Sequence, residues 1–457
     1  MRLLRPPRTL LAAAAVLLAL AAAKDARADF ETAKKYFSEN VKDADWTARR
    51  NAYAALADHD GRPAAQLMLD QLASEQNPAV TAAALEILGK MRSQEARAEI
   101  LDQLRAGKPG QRVHAAVVLG SMRGADADAA LLEALRTGSP VLAAQAAIGL
   151  GQPGRASASG PLIEALAHDA WQVRVAAARS LAALRDKAAL PALVERLGVE
   201  KGRARAETVA ALEAISGQRI GDAPKRWAAV LAGTDATAVA ETPPLPPTFF
   251  GAPVTGQRVV FVIDRSLNMR DEHPFLGPEH RERLEALCTP PDGERIAWRA
   301  LKTKQQLAFA HLRHAVDGLP KGTSVEVVHF AEDVKGVFNL KLTTMGSATR
   351  KTLYDTLALL ETDDGINLFG ALNAALDVGG ATDEKAFKSG PDQVFLVTNN
   401  IPTKGDVTEA TGVLAAIALK ARVRMVAISV VGIGNHPFEL AEGLARRTGG
   451  VYVNLSK

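Results

Sequence analysis

The sequence has 457 residues and a formal net charge of +4, with 55 lysine and arginine residues against 51 aspartate and glutamate residues. Residues 1–28 hold five of these cations and one of these anions, so the rest of the chain is close to neutral and lacks the basic excess of a nucleic-acid-binding protein. The single cysteine, Cys288, excludes an internal disulfide, and stability must therefore come from packing in two or more domains.

Residues 1–28 have the pattern of a signal peptide. Three arginines precede an apolar stretch, Leu10–Ala23, which is shorter than the roughly 20 residues of a membrane-spanning helix. The small residues Ala26 and Ala28 then predict cleavage before Asp29. We expect an exported protein, periplasmic or extracellular, with no membrane span after cleavage; an uncleaved anchor is the alternative.

Residues 29–232 contain a helical repeat. Two series of leucines recur at steps of 31 or 32 residues, namely Leu56, Leu88, Leu119, Leu150, Leu181 and Leu212, and Leu72, Leu104, Leu135, Leu166 and Leu197. Two series in phase predict pairs of helices that stack on their neighbours, because one helical hairpin cannot cover its own apolar face. The segments DAWQVRVAAARSLAAL and NPAVTAAALEILGKM resemble HEAT repeats, and this resemblance implies an all-α superhelical solenoid.

The HEAT resemblance also implies binding of protein partners along the concave face of the array. A mere spacer is the alternative, and the activity of the bilin lyases, which share the short repeat form, is the least favoured. Arg49, Arg112, Arg174 and Arg205 recur at similar repeat positions. They predict either a solvated ladder of cations or an anion site.

Residues 233–256 are predicted to form a linker. Five prolines in this stretch favour extended polyproline geometry, hence a semi-rigid spacer between two domains. Phe249 and Phe250 are expected to pack against one of the flanking domains.

Residues 257–457 alternate between strand and helix patterns. The predicted strands are Arg258–Ile263, Ser324–Phe330, Gly336–Leu342, Gln393–Thr398, Val423–Val430 and Gly450–Leu455. Solidly apolar strands separated by helices predict a doubly wound, mostly parallel sheet with helices on both faces. The less apolar Gly336–Leu342 is the candidate for an antiparallel edge.

Three segments of this region, VVFVIDRSLNM, DDGINLFGALNAAL and VFLVTNNIPTKG, resemble the von Willebrand factor A domain. The resemblance implies a Rossmann-like α/β fold and, at the carboxyl edge of its sheet, a metal-ion-dependent adhesion site. In that family an Asp-x-Ser-x-Ser loop, a threonine and an aspartate hold a magnesium ion, which captures a carboxylate of a protein partner. Together, the two regions resemble exported bacterial, planctomycete-like proteins.

The metal-site positions of the family fall here on Asp264, Ser266, Asn268, Ile366 and Asn399. Isoleucine stands where the family has threonine and supplies no oxygen, and asparagine replaces the aspartate. Mg²⁺ prefers near-octahedral oxygen ligands with one or two carboxylates. We therefore predict a degenerate site without a cofactor, in which Asp264, Ser266 and Asn399 bond to one another.

Two alternatives to this closed polar cluster stay open. Asp271, Asp363 or Asp364 could repair a magnesium site, which would give a metal-dependent adhesion module. Direct recognition of a partner without metal would instead use the carboxylate of Asp264 and the side-chain amides of Asn268, Asn399 and Asn400.

A long connection, residues 270–293, follows the first loop and could cap the sheet edge. Its segment Pro278–Leu287 has helical composition, and Cys288 is expected to be a buried thiol. Outside it, His311, His314 and His329 do not fall in a hydrolase or metalloprotease motif. We expect a non-enzymatic scaffold protein of the cell envelope, with a hydrolase as a less favoured alternative.

Overall fold

The computed structural model of the protein describes residues 29–155, 158–242, 245–272 and 301–455. The predicted signal peptide, the segment Pro278–Leu287 and Cys288 lie outside the described residues.

The amino-terminal part is an array of paired helices. They are α1 (29–40), α2 (Trp46–Ala55), α3 (Arg62–Leu72), α4 (Pro78–Lys90), α5 (Gln94–Ala106), α6 (Pro109–Ser121), α7 (Ala125–Thr137), α8 (Pro140–Leu150), α9 (Ser159–Ala165), α10 (Trp171–Leu184), α11 (Leu190–Val199), α12 (Gly202–Ser216) and α13 (Pro224–Leu231). All the leucines of the two predicted series are buried, which confirms the helical repeat. Even-numbered helices pack on even-numbered ones in one layer of the array.

Small residues set the spacing within this even-numbered layer. A β-carbon on Gly120 of α6 would lie only 3.0 Å from the Cα of Gly149 on α8. The two backbones therefore nearly touch, and any larger side chain at either position would push the helices apart.

The recurring arginines serve the array itself. Each donates to a main-chain carbonyl at or just after the end of the preceding helix, at 2.6–2.9 Å. The pairs are Arg49 with Asp43, Arg112 with Leu104, Arg174 with His168, and Arg205 with Leu197. Such carbonyls have no partner within their own helix. The predicted solvated ladder is therefore wrong.

The carboxyl-terminal part is a doubly wound α/β domain. Its strands are β1 (Thr248–Phe249), β2 (Ala252–Pro253), β3 (Arg258–Asp264), β4 (Ser324–Phe330), β5 (Val334–Gly336), β6 (Thr343–Thr344), β7 (Gln393–Thr398), β8 (Ala427–Ile433) and β9 (Tyr452–Leu455). The main sheet has the order β5-β4-β3-β7-β8-β9, with β6 also paired to β4. The pairs from β4 to β9 are parallel, and β5 and β6 are antiparallel.

Helices cover both faces of this sheet. They are α14 (Lys304–Asp317), α15 (Ser347–Ala358), α16 (Leu368–Asp377), α17 (Asp383–Ser389), α18 (Ala410–Val423) and α19 (Phe438–Thr448). Helices α14 and α15 belong to one apolar cluster, and α16 to α19 belong to the other. The predicted α/β fold class is thus confirmed.

Two predicted strands have the wrong bounds. The predicted strand Gly336–Leu342 overlaps β5 only at Gly336, and the rest is a loop between β5 and β6, because Asn339 and Leu340 take positive φ values. The buried carboxylate of Glu326 holds this loop by accepting the N–H groups of Phe338 and Lys341 at 3.0 and 2.8 Å. The sheet does end in antiparallel strands, but these are β5 and β6, on either side of the predicted residues. The predicted strand Val423–Val430 begins later, at Ala427, because α18 continues to Val423.

The predicted linker does not hold the two parts apart. Phe249 and Phe250 are fully buried in the α/β domain, as expected, where Phe249 meets the ring of Phe261 at 5.0 Å. The even-numbered layer of the array packs directly on the domain, with α18 lying along α4. One apolar core runs through both parts, so the chain is a single packed unit.

Hydrogen bonds reinforce this contact. Gln145 of α8 donates from Nε2 to the carbonyl of Arg422 at 3.3 Å, and Gln172 of α10 donates to the carbonyl of Phe387. At the other end, a β-carbon on Gly412 of α18 would lie 3.1 Å from the ring of Trp46. The array therefore follows α18 along its whole length. Nowhere in the described ranges does a helix combine the length and the apolar composition that crossing a membrane requires.

Candidate functional site

The candidate site is a polar cluster around Asp264, at the carboxyl end of the central strand β3. Its side chain is fully buried. Oδ1 accepts the N–H of Ser266 at 2.8 Å, and Oδ2 accepts the hydroxyl of Thr398 at 3.2 Å and the N–H of Asn399 at 3.3 Å. Both carboxylate oxygens are therefore engaged by donors of the protein itself.

Ser266 and Asn399 complete the cluster. The Ser266 hydroxyl donates to Oδ1 of Asn399 at 3.4 Å, and both side chains are buried. Nδ2 of Asn399 has no hydrogen-bond acceptor within the part of the chain that the structure describes. The structure thus brings together Asp264, Ser266 and Asn399, three of the residues that the sequence singled out.

Thr398 is the member that sequence reasoning missed. It is the last residue of β7, which is the parallel neighbour of β3, and Val397 pairs with Ile263 just before Asp264. Residues that follow paired positions on adjacent parallel strands end at the same edge. The register of the two apolar strands was therefore the signal that could have placed Thr398 beside Asp264.

The electrostatics of Asp264 reflect two opposing effects. Burial raises the pKa of this carboxyl, because the charged form loses its hydration. The hydrogen bonds from Ser266, Asn399 and Thr398 oppose that shift, although the pKa stays above its ordinary value. Hydrogen-bond donors, rather than a neighbouring positive charge, therefore stabilise the buried carboxylate of Asp264.

The remaining predicted site residues lie outside the cluster. Asn268 is exposed, and its carbonyl accepts the ammonium of Lys304 at 3.1 Å. Ile366 is buried in the apolar core, while its N–H donates to the hydroxyl of Thr403 at 3.1 Å. Asn400 is half-buried and accepts the N–H of the next residue.

The acidic residues considered as replacements have other partners. The carboxylate of Asp271 accepts from Lys304 at 3.0 Å, and that of Asp363 lies 3.5 Å from a guanidinium nitrogen of Arg265. The side chain of Asp364, the next residue in the same loop, accepts the N–H of Gly365. Across the described ranges no three His, Cys, Asp or Glu side chains are grouped so that they could hold a metal ion.

Two cationic side chains, those of Arg265 and Lys304, lie beside the polar cluster. Arg265 directly follows Asp264, is buried, and forms an ion pair with Asp333. The buried ammonium of Lys304 lies between the carbonyl of Asn268 and the carboxylate of Asp271. Each of these charges is paired with a carboxylate at the same edge, so neither leaves a net positive charge there.

The three histidines noted in the sequence take structural positions. His311 is fully buried and stacks on Phe250, with ring centroids 3.7 Å apart. His329 lies in β4, where burial and the charge of Arg265 lower its pKa to about 4. Burial also lowers the pKa of His314, on α14.

Comparison with family models matches both halves of the chain. Residues 65–140 and 129–213 match HEAT repeats, and residues 299–454 match the von Willebrand factor type A domain. The second match begins after Asp264, but the central strand β3 completes the same sheet. No curated protein matches the chain. The chain therefore carries HEAT repeats followed by a von Willebrand factor type A domain.

Proposed function

We propose that this protein of HEAT repeats and a von Willebrand factor type A domain is a non-enzymatic interaction protein. Both types of module generally mediate contacts between proteins. We propose further that the α/β domain binds a protein partner at the carboxyl edge of its sheet without a metal ion. The observation that carries this proposal is that both oxygens of Asp264 are already engaged by Ser266, Thr398 and Asn399.

The residues at the family's ligand positions do not fit a magnesium ion. Magnesium prefers several oxygen ligands, usually with one or two carboxylates. Here Ile366 supplies no side-chain oxygen, and Asn399 is neutral. We therefore take the metal-ion-dependent adhesion site to be degenerate and assign no cofactor.

The same edge offers a surface that suits a protein partner. Leu267 and Ile401 are large apolar side chains, 44% and 57% exposed, and they follow β3 and β7 in the two loops of the cluster. Next to them, Asn268 and Asn400 present amide groups that both donate and accept. Apolar side chains with a polar rim are the usual composition of a protein interface.

The array contributes by holding the α/β domain. Much of its even-numbered layer is covered by α18, so this layer offers a partner only the part that stays uncovered. Export to the cell envelope remains part of the proposal. It rests on residues 1–28, which lie outside the described residues.

The proposal is tested by affinity capture from an envelope extract of the native organism, with the intact protein as bait. We expect a partner that is retained equally in magnesium and in a chelator, and that is lost on Ile401→Asp. Val451→Asp, an equally simple change at an exposed apolar residue at the amino end of β9, is the matched control and should keep the partner.

Two outcomes contradict the proposal. A partner released by the chelator would favour the metal-dependent adhesion module instead. Turnover of generic ester, peptide or phosphate substrates by the intact protein would favour an enzyme, and the hydrolase alternative would then replace the scaffold.

A further inference from the structure

A cleft of about 970 Å³ lies between the array and the α/β domain. It is lined by the amino-terminal ends of α8, α10 and α12, by helix α17, and by residues at the amino ends of β3 and β7. The polar cluster of Asp264 lies at the carboxyl end of β3, so the cleft is at the opposite edge of the sheet. It is therefore separate from the site described above.

Most of the charges in this cleft are neutralised within the protein. Arg174 makes two hydrogen bonds to the carboxylate of Glu200, at 2.5 and 2.9 Å. Burial alone would raise the pKa of Glu200, but the hydrogen bonds of Arg174 and Arg196 outweigh it and lower the pKa, so this carboxylate stays charged. On the other wall, Arg258 lies 4.0 Å from the carboxylate of Asp392.

Two lysines in the lining of the cleft are not neutralised by any carboxylate that the structure describes. Lys201 and Lys388 line the cleft from opposite sides, one at the start of α12 and one on α17, and both are exposed. Neither forms an ion pair with another residue in the described part of the chain. The remaining unpaired charge of the lining is a single carboxylate, Glu384. The unpaired side chains thus leave a net positive charge.

Three helix amino termini add to this positive character. None of α8, α10 and α12 has a side-chain hydrogen bond to cap its first turn. The free N–H groups and the helix dipoles therefore favour an anion at this point. Arg203 also lines the cleft, but its charge is used within the protein: Nη2 lies 3.2 Å from the carboxylate of Glu207, and Nη1 donates to the carbonyl of Asp392.

The cleft also has an apolar side. Trp171 and Phe387 form part of the wall, and Val199 is 61% exposed at the rim. The guanidinium of Arg203 lies over the ring of Trp171, 5.8 Å from its centroid. A ligand here meets an exposed aliphatic side chain and an aromatic ring beside two free ammonium groups.

We propose that this cleft binds a short acidic segment of a partner protein. Carboxylates of the segment bind Lys201, Lys388 and the free N–H groups of the three helices, and an apolar side chain packs on Val199 and Trp171. The volume is that of a pocket for a small ligand or a few residues rather than for a folded surface. A polyphosphate chain such as a nucleic acid would need more unpaired cations than the two lysines supply.

The test is a selection of random heptapeptides displayed on phage against the intact protein. We expect enrichment of peptides that combine aspartate or glutamate with a large apolar residue. The enriched peptides are then synthesised with a fluorescent label, and their affinity is measured by anisotropy. A selection that enriches basic or neutral peptides, or none, overturns the proposal.

Variants locate the binding. Lys201→Glu combined with Lys388→Glu should weaken the peptide at least tenfold, and Val199→Ser should weaken it several-fold. The matched control reverses two exposed lysines elsewhere, Lys187 and Lys321, and should leave the affinity unchanged.

Ile401→Asp, at the opposite edge of the sheet, should also leave the affinity unchanged, so this test fails or succeeds separately from the proposed function. An affinity that survives the reversal of Lys201 and Lys388 contradicts the assignment of the cleft.

Discussion

The guanidinium of Arg203 donates from Nη1 to the main-chain carbonyl of Asp392 at 2.7 Å and so joins helix α12 of the array to the amino end of β7. The same nitrogen also reaches the carbonyl of Met425, before β8. Burial lowers the pKa of Arg203 to about 10, but the neighbouring carboxylate of Glu207 keeps the group charged. A single buried cation therefore ties the HEAT array to two parallel strands of the sheet.

Replacing Arg203 with methionine should destabilise the protein. The change removes the donor to the buried carbonyl of Met425 and one of the two donors to the carbonyl of Asp392, a loss of about 1–3 kcal/mol. Guanidinium denaturation of the intact protein measures this as a lower midpoint. Arg219→Met, at an exposed arginine of the same array, should change stability by less than about 0.5 kcal/mol. Equal midpoints for the two variants would contradict the role assigned to Arg203.

The contact between the two parts could not be predicted from the sequence. The leucine series gave the helices correctly, because their burial depends on a short-range period. Alanine-rich faces, however, look alike whether they cover a neighbouring repeat or α18. The prolines of residues 233–256 likewise predicted a spacer, although Phe249 and Phe250 belong to the core of the α/β domain.

The site was predicted in part for a related reason. Asp264, Ser266 and Asn399 follow strands whose bounds are clear in the sequence, and the parallel register brings them together. Asn268 and Ile366 lie in loops whose paths depend on distant partners. The ammonium of Lys304 and the hydroxyl of Thr403 are those partners, and no local pattern marks them.

Asp264→Ala should destabilise the α/β domain. The change leaves the N–H groups of Ser266 and Asn399 and the hydroxyl of Thr398 without their acceptor, and each buried unsatisfied group costs about 1–3 kcal/mol. The raised pKa of Asp264 indicates that its desolvation offsets part of that cost. Thermal unfolding at pH 7 measures the net loss. Asp406→Ala, at an exposed residue near the same edge, should melt with the wild type; a wild-type melting temperature for Asp264→Ala would show that the cluster does not stabilise the fold.

His329 should make the protein less stable in acid. Its pKa is about 4 in the folded protein, against an ordinary value of 6.5. Between these pH values His329 is therefore protonated in the unfolded chain and neutral in the folded protein. Stability should therefore fall as the pH drops through 6.5, and continue to fall until about pH 4. Urea midpoints measured from pH 7 to pH 5 give this slope.

His329→Gln should make that slope shallower, because glutamine does not titrate. A residual slope is expected from His114 and His314, whose pKa values burial also lowers. An unchanged slope for His329→Gln would contradict the assignment.

Restoring the two missing ligands should create a metal site. Asn399→Asp adds a second carboxylate beside Asp264 and Ser266, and Ile366→Thr restores a hydroxyl at the threonine position of the family, the kind of ligand set that magnesium prefers. Calorimetry should then detect magnesium or manganese binding that the wild type lacks. Ile366→Val with Asn399→Ser, which adds no carboxylate, is the control. Failure of the double variant to bind, although it stays folded, would show that the loss of these two ligands does not explain the absence of a metal site.

The central claim is that the carboxyl edge of the sheet acts without a metal ion. The most direct measurement is a calorimetric titration of the intact wild-type protein with Mg²⁺ and Mn²⁺, alongside Asp264→Ala. Because the oxygens of Asp264 are engaged by Ser266, Thr398 and Asn399, we predict no binding heat from either ion in either protein. Micromolar binding to the wild type that disappears in Asp264→Ala would contradict the claim and restore a metal-dependent adhesion site.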